Sequence, residues 1–363
     1  MQRPLKLASG IGQAEMDAIL KKFPAPVMNW KPYFPTIQVF GDSWKTLTNQ
    51  SSAVNVAADS VALGSSAPIK SRQGVETISG GFGVFKTGRI KDEREIEYYL
   101  QLQNKSSQFT SPDQWNQILN WILDDVQFVR TAALAQANYL SWALLSSACN
   151  LGIVAGNSPY LAGLKNLSYP IAAWQKNNVA TSWDNAASLI IDDIESVVET
   201  AKTYGKILTK IKINRTWFKH VQNNTQVQKL CATYIQNALN LQGVPTIAVV
   251  NNMLQTYFDN SMLQFEVIDE LVSREDFDGS IVTSNPFADG VAVFTTTSRV
   301  GSFQYSMLTS VPGTITSAED FYRIERLYQS DPDLEKTLVK FQGMPVIDTY
   351  ADNFYLKVNA VAW

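Results

Sequence analysis

Residues 111–151 read SPDQWNQILNWILDDVQFVRTAALAQANYLSWALLSSACNL, and this stretch limits how the rest of the chain can be arranged. Ser111-Pro112-Asp113-Gln114 is a helix-start signature. The serine can accept hydrogen bonds from free backbone N–H groups, the proline suits the first helical position, and the glutamine can bond back. Trp115, Ile118, Leu119, Ile122, Val126, Val129, Ala133, Ala137, Leu140 and Leu144 then recur at the spacing of one helix face. The pattern runs to Leu151, where Gly152 can end it. Such a helix would be about 60 Å long at 1.5 Å per residue, longer than globular domains usually use. It predicts a strut.

Upstream of the strut the chain reads as an arm and then as β-structure. A short helix over Ala14–Lys22 is followed by Pro24, Pro26, Pro32 and Pro35, with Trp30, Tyr33 and Phe34 between them. Proline stiffens the backbone and blocks helix. The three aromatics are therefore expected to anchor an extended arm in grooves, its own or a neighbour's. Val54 and Val56 alternate with polar residues, as in a half-buried strand. Val75–Ile78 and Val84–Ile90 are extended runs around Ser79-Gly80-Gly81-Phe82-Gly83 and read as one long hairpin. It has little apolar area of its own, so it needs a second surface.

Downstream, helices alternate with strands, the mark of an α/β or α+β domain. Asp184 is read as capping a helix with Leu189, Ile190, Ile194, Val197, Val198 and Ala201 inward, stopped at Gly205. Lys206–Asn214 alternates isoleucines with lysines, a strand with one wet face. More helix is expected around Arg215–His220, Val227–Ala238 and Thr246–Phe258, and strands at Leu263–Leu271, Gly290–Thr296 and Asn353–Val361.

Hydrophobic residues make up 45% of the 363, enough for a sizeable core, while charged residues reach only 17%. Neutral polar surface is cheaper to bury against a neighbour than charged surface. A net charge of −3 provides no global attraction for nucleic acid. Cys149 and Cys231 are expected as buried free thiols rather than a disulfide, consistent with a reducing compartment. No apolar run is long enough to span a bilayer, and Met1–Lys22 lacks the order of a signal peptide. The chain is expected to be cytosolic where it is made.

No catalytic constellation emerges. The single histidine, His220, lies beside Trp217-Phe218-Lys219 without a triad context and reads as helix surface. Metal sites of His and Cys are nearly excluded by the same count. The glycines near 80 lack the lysine and following helix of a phosphate loop. Asp124-Asp125 and Asp192-Asp193 point in different directions on a helix, and Asp331-Pro332-Asp333 reads as a turn or helix start. Lys70, Arg72, Lys86, Arg89, Lys91 and Arg94 make a weak nucleic-acid patch, since strong aromatic interleaving is missing and acidic residues follow. They suit contact with an acidic neighbour better.

The order of arm, long β-hairpin, strut helix, α/β domain and late returning strand resembles the tailed-bacteriophage major capsid family. The lambda-type branch, major capsid protein E, is the most similar in detail. The matching residues are Trp30-Lys31-Pro32-Tyr33-Phe34-Pro35, Ala67-Pro68-Ile69-Lys70-Ser71-Arg72-Gln73-Gly74 and Lys86-Thr87-Gly88-Arg89-Ile90-Lys91. The last departs from the family in lacking a proline before Gly88. Further matches are Val300-Gly301-Ser302-Phe303-Gln304-Tyr305 and Gly343-Met344-Pro345-Val346-Ile347, followed by Phe354-Tyr355-Leu356-Lys357-Val358.

The resemblance implies an α+β chain with the tailed-phage major capsid fold. Its parts would be an N-terminal arm (1–45), an extended loop with flanking strands (46–105), a peripheral domain with the spine helix (106–180), an axial domain (181–342) and a C-terminal strand returning to the peripheral domain (343–363). It further implies a structural protein, with no enzyme activity, cofactor or metal, that assembles with itself as hexamers and pentamers. The icosahedral shell would enclose double-stranded viral DNA without sequence-specific binding and without a membrane. It would form in the host bacterial cytoplasm, with scaffold, portal and decoration proteins as further partners. Lys70, Arg72, Phe82, Phe85, Lys86 and Arg89 would contact the next subunit through the extended loop, and Trp30, Tyr33 and Phe34 would anchor the arm. An encapsulin-like compartment shell is the alternative on the same fold. A small-molecule hydrolase on an α/β domain is the alternative of another class, opposed by the missing nucleophile motif.

Overall fold

The apolar repeat of the strut forms one helix, Pro112–Ser146, 35 residues long. The computed structural model describes residues 28–49, 60, 75–104, 112–152, 166–234, 244–260, 262–275, 278–307 and 315–363. The helix expected at Ala14–Lys22, Pro24, Pro26, Val54, Val56, the stretch 64–74 with Lys70 and Arg72, and Ser111 lie outside them.

In chain order the strands are β1 (Thr36–Gln38), β2 (Ser43–Asn49), β3 (Val75–Gly81), β4 (Val84–Lys91), β5 (Asn150–Gly152), β6 (Asn166–Ser168), β7 (Lys176–Asn178), β8 (Lys210–Asn214) and β9 (Gln264–Ile268). They continue as β10 (Val272–Glu275), β11 (Ile281–Ser284), β12 (Val291–Thr295), β13 (Gly301–Ser306), β14 (Ile315–Glu319), β15 (Tyr322–Ser330), β16 (Asp333–Ile347) and β17 (Phe354–Lys357). The helices are α1 (Glu93–Asn104), α2 (Pro112–Ser146), α3 (Ile190–Thr203), α4 (Arg215–Asn223), α5 (Thr225–Tyr234) and α6 (Ile247–Tyr257).

Two larger sheets hold most of the strands, and β2–β3, β5–β6 and β10–β11 form separate two-stranded sheets. A six-stranded sheet has the order β1-β13-β16-β15-β14, with β4 also paired to β16. A five-stranded sheet has the order β7-β17-β12-β8-β9. One core joins the spine helix α2, through Val126, Val129, Ala133, Ala137 and Trp142, to Ile324, Val339 and Phe341 of the first sheet. A second core joins α3 to α6 with Ile211, Ile213, Ala292, Phe294 and Leu356 of the five-stranded sheet. Strand β12 serves both: Val291 and Val293 belong to the first core, Ala292 and Phe294 to the second. Alternate residues of a strand face opposite ways, so this strand is buried on both sides and every residue of it is apolar or threonine.

The ends of elements depart from the sequence reading for physical reasons. Helix α2 stops at Ser146 rather than near Gly152, which sits in β5. The chain turns through left-handed backbone at Ala148 (φ 52°) and Cys149 (φ 57°). Non-glycine residues adopt this region at a cost; here full burial of both side chains offsets it. The Cys149 thiol meets the Tyr355 hydroxyl at 2.9 Å, and both cysteines are free and buried. Helix α3 begins at Ile190, not at Asp184. Its free Ile191 N–H donates to Gln226 Oε1 at 2.9 Å, so the cap comes from a distant residue.

Strand β8 covers Lys210–Asn214 alone, and its expected wet face is dry, since Lys212 is fully buried. Asp331-Pro332 is the two-residue turn of the β15–β16 hairpin, closed by Ser330 opposite Asp333. Residues 343–363 divide between the sheets: Gly343–Ile347 ends β16 beside the spine, whereas β17 lies in the five-stranded sheet against β12 and β7.

Two outcomes follow. Val126 is 2% exposed within the first core, so Val126→Asp buries an unpaired carboxylate. The cost is on the order of several kcal/mol against a net stability of about 5–15 kcal/mol. Soluble, cooperatively melting protein is expected from the exposed control Gln127→Asp and not from Val126→Asp. The second outcome concerns alkali. Burial pushes the Cys149 thiol up to about 12, and burial raises the phenols of Tyr169 and Tyr355. In the unfolded chain these groups ionise near about 8.5 and about 10. The native state therefore holds more protons above those values, and stability falls as pH rises through them. Lys212 and Lys91, both lowered by burial, act oppositely only up to about 10.5. The loss should be steepest beyond that point, read as denaturation midpoints between pH 8 and pH 11.5. Tyr355→Phe should flatten the slope.

Candidate functional site: the arm, the ribbon base and the edge strand

The arm's aromatics lie in a groove of their own chain. Trp30 and Phe34 are fully buried. Trp30 packs on Phe303 (ring centroids 5.3 Å apart) and Phe321 (5.9 Å). Tyr33 and Phe34 meet Trp142 of the spine edge-on at 5.0 and 6.3 Å. The backbone repeats the anchorage: Val300 N and Gly301 N donate to Tyr33 O, Phe303 N donates to Pro35 O, and β1 then pairs in parallel with β13. Gly301 is required there, because a Cβ would lie 2.0 Å from Val346 O. Lys31 bonds Asp320 at 2.6 Å.

Tyr33 also links the arm to the five-stranded sheet. The Lys212 ammonium lies 4.4 Å above its ring and 2.5 Å from Glu266 Oε2. Burial depresses the Lys212 pKa, and Glu266 opposes that shift. Burial and the same carboxylate push the Tyr33 phenol up to about 12.

The hairpin of the sequence reading is differently paired. Strand β3 runs antiparallel to β2, from Ser43 opposite Gly81 to Asn49 opposite Val75. The glycines at 80 and 81 are thus inside a strand, and the ribbon leads into residues 50–74. Its base is clamped to the body. Trp44 is 4% exposed and stacks on Tyr169 at 5.8 Å. Gly80 makes room for that indole: a Cβ there would meet it at 2.8 Å. Thr46 Oγ1 donates to Asp348 at 3.0 Å, and burial raises the Asp348 pKa. The Gln304 side chain accepts from Lys45 N and donates to Lys45 O. Gln342 Nε2 donates to Asp42 at 3.2 Å.

Strand β4 instead joins the six-stranded sheet, from Val84 opposite Gln342 to Lys91 opposite Glu335. Gly88 permits this, since a Cβ would sit 2.6 Å from Thr337 O and 2.3 Å from the Leu338 side chain. Among the residues expected at subunit contacts, Phe82 is 3% exposed and Phe85 stacks on Phe341 at 4.9 Å. Arg89 bonds Asp124 of the spine at 2.9 Å and lies 3.8 Å over the Phe128 ring. These three are engaged within their own chain. Lys86 is exposed, and Lys70 and Arg72 lie outside the described residues.

Behind β4 a set of buried charges ties helix to sheet. Lys91 meets Asp125 at 3.2 Å with both side chains 7% exposed, and burial depresses the lysine's pKa. Arg326 pairs with Glu335, both fully buried, and Lys340 meets Glu325 at 2.5 Å. The sequence reading named Lys91, Asp125 and Gln304 without these partners and passed over Trp44, Glu325, Arg326, Glu335, Lys340 and Asp348, because each partner lies on another element. His220 lies on α4 with its ring 5.3 Å from that of Trp217. Among the described residues no His/Cys/Asp/Glu group could hold a metal, and no helix is long and apolar enough to cross a membrane.

No family model matches the sequence, and no curated protein does. Solved structures do match. A candidate capsid protein of a prophage of E. coli CFT073 superposes with TM-score 0.56 at 12% identity, covering 96% of this chain and 99% of that one. The mature capsid subunit of bacteriophage PhiM1 matches with TM-score 0.45 at 10% identity, covering 92% and 89%. The SrpI encapsulin of Synechococcus elongatus PCC 7942 matches with TM-score 0.37 at 11% identity, covering 96% of both chains. The prophage protein is the one of these whose superposition is good enough to identify the architecture. Matched over 96% of its length to that protein, this chain has the phage capsid fold.

Proposed function

We propose that this protein is the major capsid protein of a tailed bacteriophage, a structural subunit that assembles with itself as hexamers and pentamers into an icosahedral shell around double-stranded DNA. The observation that carries this reading is the end-to-end match of the fold to a candidate prophage capsid protein. The layout supports it. Trp30, Tyr33 and Phe34 would hold the arm; the peripheral region would comprise the spine and the six-stranded sheet, which takes residues 301–342 from the expected axial domain 181–342; the axial region would be the five-stranded sheet with its helices. The ribbon begins at Ser43, inside the expected arm, and its base is clamped at Trp44 and Thr46. Residues 50–74, with Lys70 and Arg72, would then reach over the next subunit, joined by exposed Lys86. Phe82, Phe85 and Arg89 would stiffen the base from which that contact is made. Scaffold, portal and decoration proteins would be further partners, and assembly would take place in the host bacterial cytoplasm.

Electron microscopy of the purified protein tests the reading. Closed particles, or rings with six-fold and five-fold symmetry, are expected; a monomer at every concentration would overturn it. Particles filled with a protein cargo and no DNA after expression in the native host would favour a compartment shell instead. Replacing residues 50–74 by a short Gly-Ser linker should leave a folded subunit, read by its thermal melt, that no longer sediments as particles. Normal particles from that variant would remove the loop from the assembly contacts.

A further inference from the structure

We infer that the outer face of the six-stranded sheet is a cationic docking surface for the acidic helix α1 of a neighbouring copy of this chain, an inference that rests on the shell reading above. In β16 the residues at 335, 337, 339 and 341 are buried under the spine, and 336, 338 and 340 are half-exposed on the other side. Strand pairing places Lys86, Lys340 and Arg323 in one row across β4, β16 and β15. Like charges directly opposite each other on one sheet face are unfavourable, so this row calls for a counter-charge. The face provides little: Lys340 is met by Glu325, but Arg323 Nε and Nη1 are shielded from solvent without an acceptor. Four residues along, Lys336 lies between Ile90 and Leu327. Among the described residues neither Lys86 nor Lys336 has an acidic partner. Of the cations on this face Lys340 is met by Glu325, and Asp42 lies beyond it beside Gln342; Lys86 and Lys336 are left to a counter-charge from outside.

Apolar groups alternate with these cations. Val84 is 52% and Ile90 57% exposed, with Leu338 and Leu327 between them. A nucleic-acid backbone would satisfy the charges and leave those side chains in water, with no aromatic platform for bases. A protein segment bearing both carboxylates and apolar groups fits better. Helix α1 has that composition. Asp92, Glu93, Glu95 and Glu97 stand against one basic residue, Arg94; Glu93, Glu97 and Leu100 (40% exposed) share one face at i, i+4 and i+7, and Tyr98 (56% exposed) lies on another flank. Ile96 and Tyr99 fasten the opposite side of the helix to its own subunit. Asp92 and Glu95 bond each other's backbone at the helix start, and no described lysine or arginine pairs with any of the four carboxylates. Every copy carries both surfaces, so the contact can repeat from subunit to subunit.

Charge reversal tests the inference. Lys86→Glu with Lys336→Glu, and separately Glu93→Lys with Glu97→Lys, should leave the thermal melt unchanged and lower particle yield at least about tenfold, because opposed like charges cost an interface several kcal/mol. The fourfold variant carrying all these changes restores complementarity and should recover particles. Unchanged yield in either pair variant, or no recovery in the fourfold one, overturns the docking. A second measurement does not depend on closed shells. Lys86→Cys with Glu97→Cys should form intersubunit disulfides on oxidation, seen as a ladder on a non-reducing gel, while Lys86→Cys with Gln127→Cys should not. Absence of the ladder overturns the docking even if the unmodified chain forms normal particles. A ladder from protein that never forms particles would leave the docking standing and sink the shell reading.

Discussion

A 35-residue helix with an apolar stripe along it must be covered over most of its length, and a single short element cannot do that. The cover comes from several distant parts of the chain. Strands β4, β15 and β16 supply one wall. The arm crosses to put Tyr33 and Phe34 against Trp142. Phe287, ahead of β12, reaches Trp142 from the side of the five-stranded sheet. Trp142 is thus the place where the arm and the approach to β12 meet the spine. Close packing of this kind makes the spine a rigid reference to which the rest is registered.

The charges near that core serve register more than stability. Lys91–Asp125, Arg326–Glu335, Lys340–Glu325 and Lys212–Glu266 are wholly or partly withdrawn from water. Desolvation consumes much of what such pairs gain. A strand slipped by one residue would, however, turn each charge to the wrong face. The pairs thereby favour a unique register. Glycines contribute by close approach at two points. Gly80 admits the Trp44 indole, and Gly88 lets β4 lie against β16. The ribbon base and the edge strand are therefore fixed by contacts within the chain itself.

The sequence by itself determined the spine helix, because an apolar face repeated over ten turns has no other solution. It determined most of the helices and strands between residues 190 and 295, where periodicity is local. It also marked Trp30, Tyr33 and Phe34, since aromatics between prolines have no helix to join. Tertiary structure alone decided which strands pair. The runs at 75–81 and 84–91 look like partners across a glycine turn, yet they pair with β2 and β16. Pairing depends on shapes brought from elsewhere, here Trp44 over Gly80 and Leu338 over Gly88. The cap of α3 from Gln226 and the dry lysine at 212 were hidden for the same reason. A side chain's partner many positions away leaves no periodic trace in the chain. Nor does a surface made of single residues from β4, β15 and β16, which exists only once three strands lie side by side.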